Sequence, residues 1–525
     1  MKRGALLLTL FVAAFGAGCS NSGSSNNPPP PVGGFSNSSL KGQYAFIMTG
    51  QAPDGFIARV GSFTADGINN ITGGVELVST ASGGLQQFSF QQSAYQVNAD
   101  GRGAMNLTNL TGTFSLSITM ISATKGYLAQ TDGVTTTSGT FELQDASAFT
   151  ANALSGSFVF DNSGLDAAGS PDSIVGQIAL NSGVVQGGVY DENAGALASG
   201  PVPITNGTLS ISDATNGLGS LKFNSNSFQY AFVIVNSTKL HMIEVPASGS
   251  SLPVTAGTAN GQAAPPANNP AFSGNFVFLI FGVGTHSSNV KAGRFTADGA
   301  GGLNLNSLAL DDKQLGSSIT QIPSGTLSNA SYTIDTNFPA SGRGTATFTD
   351  SSKGTFKFIF YMSSASEGVI QDNSLNLVGD GVIRAQTGAP FSNGSLANDY
   401  AFNWSGVSTN STNGVSAEED FVGHVKITSA ASGNLTGTMD FSELNSNQGA
   451  FHNSALTGDL TIAGDGTNSS GQRSGVAITA TNPNGGPSTT FNFTVYVVNP
   501  QMIFVVSQDS DRVTGGAFTA QVTPP

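Results

Sequence analysis

Apolar residues recur at every second position through most of the chain. Tyr44 and Phe46 share one face of a short segment, and Phe356, Phe358 and Phe360 do the same far downstream. This is the period of a β-strand with one face buried. Beyond the first 18 residues, no stretch of ten or more carries a convincing 3.6-residue period. Glycine-rich and Asp-Gly punctuation returns roughly every 10–15 residues, as hairpins and meanders require. The pattern predicts an all-β protein.

The segments are copies of one unit. Leu40-Lys41-Gly42-Gln43-Tyr44-Ala45-Phe46 returns as Leu154-Ser155-Gly156-Ser157-Phe158-Val159-Phe160, then as Phe272-Ser273-Gly274-Asn275-Phe276-Val277-Phe278, then as Leu396-Ala397-Asn398-Asp399-Tyr400-Ala401-Phe402. The steps are 114, 118 and 124 residues. A second landmark follows each start: Val60-Gly61-Ser62-Phe63-Thr64-Ala65-Asp66-Gly67, Val175-Gly176-Gln177-Ile178, Ala292-Gly293-Arg294-Phe295-Thr296-Ala297-Asp298-Gly299, and Val422-Gly423-His424-Val425. A third landmark, Gly101-Arg102-Gly103, returns as Gly342-Arg343-Gly344. Ordered landmarks at similar spacing mark tandem repeats.

In the third copy the alternation places about eight strands, at 275–281, 290–296, 302–309, 331–335, 344–349, 355–361, 367–371 and 377–385. Eight antiparallel strands in one repeat suit a small closed barrel or a sandwich. Closure is favoured because a sheet this rich in Phe and Val carries few charges to blunt an open edge. An eight-bladed propeller with two blades per copy is the competing arrangement, weakened by the lack of a half-repeat. The units span residues 39–145, 153–262, 271–388 and 395–523, and 263–270 reads as the clearest linker.

Composition narrows the class. The chain has 525 residues, 18 Lys plus Arg against 32 Asp plus Glu, and a net charge of −14. Phosphate binding needs clustered cations, so nucleic acid is an unsuitable partner. The single cysteine, Cys19, excludes intramolecular disulfides and Cys-based zinc sites. Lys2 and Arg3 precede an apolar run from Gly4 to Phe15, then Gly16-Ala17-Gly18 and Cys19. Residues 1–18 read as a secretion signal, too short to span a membrane as a helix. Residues 19–38, with Pro28 to Pro31, read as a flexible tether.

Chemistry-bearing patterns are sparse. His241, His286, His424 and His452 have no helical metal-ligand spacing, and His241 reads as an edge or surface strand residue. The Gly-x-Ser-x-Gly elbow and a phosphate-cradling loop are absent from the sequence. The recurring polar feature is a carboxylate cluster after the second landmark: Glu76, Asp191 with Glu192, Asp311 with Asp312, and Asp440 with Glu443. Paired acids suit glycoside hydrolysis or an oxygen-ligated cation. Their Gly, Asn and Ser neighbours favour exposed turns instead. Trp404, the sole tryptophan, reads as a partly buried aromatic at a strand end, with sugar stacking as the alternative.

Two resemblances follow. The N-terminus resembles a bacterial lipoprotein signal, which implies lipidation of Cys19 (a palmitate-bearing anchor) and, through Ser20, outer-membrane sorting. Ordinary signal cleavage beside an incidental cysteine is the competing reading. The Tyr-Ala-Phe and Phe-Thr-Ala-Asp-Gly phrases resemble uncharacterised acidobacterial-type repeat lipoproteins, which implies a cell-envelope setting and no mechanism. The sequence therefore predicts a non-enzymatic structural, spacer or adhesive protein that needs no cofactor. The alternative is a binding protein for a glycan or apolar small ligand in a barrel mouth or loop groove, and a carboxylate hydrolase ranks third.

Overall fold

The computed structural model describes residues 34–225, 227–284, 287–322, 327–409, 416–429, 432–444, 450–461 and 470–524. The signal, Cys19, Ser20, most of the tether and His286 lie outside them. The chain forms four antiparallel β-sheets, each beginning just after a single-turn 3-10 helix.

Barrel 1 opens with Lys41–Ala52, which pairs with both Gly55–Asp66 and the last strand, Thr136–Leu143. Asn70–Thr80 pairs back to Gly55–Asp66 and onward to Ser93–Val97, so eight strands close on themselves. Gly84–Ser89 hangs outside the barrel as a ninth strand. Barrel 2 repeats this plan, closed by Gly156–Leu165 with Val254–Gly261 and carrying Leu197–Ile204 as its extra strand. Barrel 4 closes through Asp399–Thr409 against Arg512–Ala520.

Barrel 3 is nearly closed. Two isolated bridges, Ala297 with Leu303 and Gly302 with Ser331, span the gap between Ser288–Asp298 and Leu327–Ile334. The strand expected at 302–309 is therefore mostly turn, and its regular portion begins later, at Ala309–Gln314. Asn304 explains the difference: its side-chain oxygen accepts the Asn306 backbone N–H and its carbonyl that of Ser307, which turns this stretch instead of extending it. The propeller arrangement is overturned, because each copy forms one closed or nearly closed barrel.

The first two landmarks are one packing device. Phe46 lies opposite Gly61, Phe160 opposite Gly176, Phe278 opposite Gly293 and Phe402 opposite Gly423. A Cβ on any of these glycines would fall 2.5–2.7 Å from the facing ring. The glycine is required because the ring lies on it. Each barrel interior is then filled by aromatic side chains. In barrel 4, Trp404 stacks on Phe402 at 4.2 Å and packs on Phe493 at 4.8 Å. Burying one such ring contributes roughly 2–3 kcal/mol.

Part of each outward face is also buried, because the barrels pack on one another. Val60 and Leu77 of barrel 1 join Leu218, Val233 and Ile243 of barrel 2. Val159, Val175 and Val189 of barrel 2 meet Ile359 and Tyr361 of barrel 3. Val277 and Val290 of barrel 3 meet Tyr496 and Phe504 of barrel 4. The last seam is polar: Tyr127 bonds Thr519 at 2.7 Å, and Ser138 donates to Asp420 at 2.6 Å. The four barrels therefore form a closed ring.

One glutamine per barrel latches that ring. Gln144 donates its amide to the carbonyls of Asn216 and Ile234 in barrel 2. Gln262 donates to Ser341 and Met362, Gln386 to Ser470 and Val497, and Gln521 to Asp100 and Met120. Each reaches into the following barrel, and Gln521 returns from barrel 4 to barrel 1. The first acceptor always precedes a glycine of positive φ: Gly217, Gly342, Gly471 and Gly101. The next backbone N–H repeats the link, from Asp145 to Val235, Ala263 to Ser363, Thr387 to Val498 and Val522 to Ile121.

Candidate functional site

The recurring carboxylates lie on strands, not turns. Asp191, Asp311 and Asp440 sit opposite Val175, Ala292 and Val422, the residues just before the landmark glycines. All three are buried. Strand alternation explains this placement: Tyr190 points into its own barrel, so Asp191 points out, into the seam with the next. Glu76 lies one register position away, opposite Gly61, and is held within barrel 1 by Arg59 and Asn109.

Each seam acid meets the third landmark of the following barrel. Arg343 and the Tyr361 hydroxyl both bond Asp191. Asp311 accepts the Tyr496 hydroxyl, with Gln472 at the arginine position, and burial pushes its carboxyl up to about 6. Asp440 faces Arg102 at 3.6 Å and accepts the Asn453 backbone N–H at 2.6 Å. In the first seam Leu77, Leu218 and Val233 occupy the corresponding positions. These acids hold the ring together and do not face one another across a cleft.

The remaining candidates are local. Glu192 is half-buried, and desolvation with nearby Asp166 raises its carboxyl. Asp312 accepts Asn289 Nδ2 at 2.5 Å and lies 3.7 Å from the buried Lys291. Glu443 accepts the Ser408 hydroxyl. Trp404 is 0% exposed inside barrel 4, which overturns its strand-end placement and removes it as a sugar platform. His241 is not a surface residue either: it is fully buried, and desolvation depresses it to about 3.

Sequence reasoning missed where the four barrels converge. A cavity of about 490 Å³ lies there, with walls from all four. Each barrel contributes the glycine four residues after its landmark phenylalanine: Gly50, Gly164, Gly282 and Gly406. A Cβ there would lie 1.9–2.6 Å from a carbonyl oxygen of the neighbouring strand, so only glycine lets the backbones approach so closely. The recurrence of Gly at Phe+4 was the available signal. A second recess of about 680 Å³ shares Pro171, Val283, Ser288, Val378 and Val407 with the first.

Four carboxylates line the axial cavity: Asp161, Asp172, Asp380 and Glu418. Burial, with Glu192, Glu244 and Asp166 nearby, pushes Asp172 up to about 8. Burial and the neighbouring Asp161 raise Asp380. Burial, then Asp420 and Glu419, raise Glu418. The apolar part of the wall includes Phe56, Leu165, Phe281, Val290 and Val513. Among the described residues no group of three His, Cys, Asp or Glu side chains could hold a metal ion.

No family model matches the chain, and no curated protein does. Among solved structures it is similar to a double mutant of the vaccine antigen transferrin binding protein B from Haemophilus parasuis Hp5. Identity there is 10% over 76% of this chain and 83% of that one, with a TM-score of 0.20. Intact Ap-TbpB, with N and C lobes, is 9% identical over 77% and 86%, at a TM-score of 0.16. Pseudomonas aeruginosa OccK8 (OprE) is 9% identical over 91% and 95%, at 0.09.

Proposed function

We propose that this is a non-enzymatic, lipid-anchored cell-envelope protein whose ring of four barrels binds a small ligand in its axial cavity. One observation carries the reading: every barrel supplies a glycine to the cavity wall, so the same repeat that builds the ring also builds the space at its centre. A cleft lined mainly by apolar groups with a few convergent polar ones is the usual form of a ligand site. The lipid anchor and the acidobacterial-type lipoprotein relationship rest on the N-terminal signal pattern and the repeat phrases.

The ring shifts the weight between the sequence readings. Four barrels on a string would serve as a spacer, whereas four closed on themselves give up most of that reach. The hydrolase reading needs two carboxylates facing across a cleft. Asp191 and Asp311 are instead bound to Arg343 and Tyr496 in the seams.

Native mass spectrometry of the protein isolated from envelopes tests the binding reading. A small-molecule adduct is expected on the unaltered chain and is expected to vanish in Val283→Trp, because Val283 stands between the two recesses. An adduct-free mass for both chains, or an adduct unchanged by the substitution, overturns it.

A further inference from the structure

We propose that the axial cavity takes an organic ammonium cation, with its amine against the acidic wall and its carbon chain against the apolar wall. This inference rests on the cavity's being the binding site and specifies what enters it.

The cavity wall is one-signed. Asp161 and Asp172 come from barrel 2, Asp380 from barrel 3 and Glu418 from barrel 4, and among the described residues no Lys, Arg or His lines it. The nearest cations already have partners. Lys239 and Arg384 both act on Asp161, but Lys239 pairs with Glu142 at 2.5 Å and Arg384 with Glu367 at 3.5 Å. Arg512, beside Glu419, pairs with that residue at 3.3 Å. The charges acting on Asp172 are further acids, Glu192, Glu244 and Asp166, eased in part by the Ser173 backbone N–H.

Asp172 supplies the independent sign of a ligand. It is 5% exposed, lines the cavity, and its Oδ1 has no hydrogen-bond partner among the described residues. A buried carboxyl oxygen left unpartnered is costly, and an ammonium N–H is a strong partner for it. Asp161 is already engaged by Thr258, whose hydroxyl donates at 2.9 Å. The acid positions are therefore distinct in role, with Asp172 the open one.

Three properties select the class of cation. A bare divalent ion wants six or more converging oxygens, and the acids here do not converge in threes. A neutral glycan brings no cation to a wall that carries four acids and no base among the described residues. Phe56, Leu165 and Val513 offer an apolar surface that a hydrated metal cannot use and a methylene chain can. Asp172, pushed up to about 8, holds a proton near neutral pH in the ligand-free protein, and an entering ammonium displaces it. Binding therefore releases protons to solvent.

Isothermal titration calorimetry on the full chain in detergent near neutral pH tests this. The probes are cadaverine, spermidine, uncharged 1,5-pentanediol and Ca²⁺, each in two buffers of different ionisation enthalpy. An amine is expected to bind one per chain with proton release, at least tenfold tighter than the diol. Asp172→Asn and, independently, Glu418→Gln are expected to weaken it at least tenfold with the circular dichroism spectrum unchanged. If Asp172→Asn fails to fold, Glu418→Gln decides. Diol binding as tight as the amine, tighter Ca²⁺ binding, or variants without effect overturn the cation inference. Silence from all probes overturns it too. In that case an adduct in native mass spectrometry that is lost in Val283→Trp leaves the cavity reading standing, and absence of the adduct removes both.

Discussion

Arg343 closes on Asp191 with two hydrogen bonds, Nε to Oδ2 at 2.7 Å and Nη2 to Oδ1 at 2.8 Å, across 152 residues of chain. The fork is almost wholly buried between barrels 2 and 3, so neither charge has water to fall back on. Removing one partner of such a pair costs about 3–5 kcal/mol, whereas replacing the pair by apolar residues is close to neutral. Arg343→Met is expected to lower the melting temperature sharply. The triple change Asp191→Leu, Arg343→Leu, Tyr361→Val copies the first seam's Leu77, Leu218 and Val233 and is expected to recover most of the loss. Thermal unfolding followed by circular dichroism measures both, and a triple variant as unstable as the single one refutes the seam equivalence.

The ring-on-glycine pairs give a steric prediction free of backbone strain, since Gly293 does not have a positive φ. Gly293→Ala places a methyl 2.5 Å from the Phe278 ring and is expected to cost about 1–3 kcal/mol by overpacking. Adding Phe278→Leu should bring part of this back, because the smaller side chain vacates the contact. Denaturant titration of the single and double variants reads the coupling, and simple additivity would count against the pair.

Ring closure depends on the latch at the last seam. Gln521→Ala leaves the carbonyls of Asp100 and Met120 without this donor, at about 1–3 kcal/mol where they are buried. The seam is expected to open: small-angle scattering should give a larger radius of gyration, and proteolysis should first trim the chain ends that border it, around Phe35 and Gln521. Gln386→Ala, at a seam that also holds a large apolar cluster, is expected to open less.

Stability should fall on both sides of a mildly acidic optimum. Asp172, Glu244 and Asp420 are pushed up to about 8, 7 and 7, chiefly by burial. The folded chain then holds protons that the unfolded chain has lost, so stability drops as pH rises from about 4 to about 8. His241 acts in the opposite sense. Held neutral down to about 3, it favours unfolding as pH falls below its ordinary value of 6.5. Melting temperatures should peak at about pH 4, where the three acids and His241 balance, and Asp172→Asn should flatten the alkaline limb. A slope unchanged by that substitution contradicts the burial of a protonated Asp172.

What the sequence made legible is local. Alternation of Tyr44 with Phe46 marks a strand, and Phe278 with Gly293 marks the repeat, because both signals lie within a few residues of each other or recur at one spacing. The seams were hidden for a physical reason. Asp191 sits among Tyr190, Glu192 and Asn193, a polar setting that reads as a turn, and the arginine that gives it meaning is 152 residues away. Trp404 looked terminal because strand length cannot be judged from a Ser-Gly that follows it; the strand runs on to Thr409. Gln144, Gln262, Gln386 and Gln521 stood at the end of every copy in plain view. Their recurrence marked a shared contact, though not the neighbour each one touches.

At Gly101 the two ends of the folded chain come together. The ring of Phe35 and the amide of Gln521 approach that one glycine from the two ends, within about 3 Å of where a Cβ would stand. The seam between barrels 4 and 1 differs from the others in lacking a peptide connection, while its latch is the same. A circular permutant joining residue 524 to residue 34 by a short linker and opened within 263–270 should therefore build the same ring, with barrel 3 as its first barrel. The chain would then enter the ring at a different seam, so the face from which its N-terminus emerges becomes something a designer can choose.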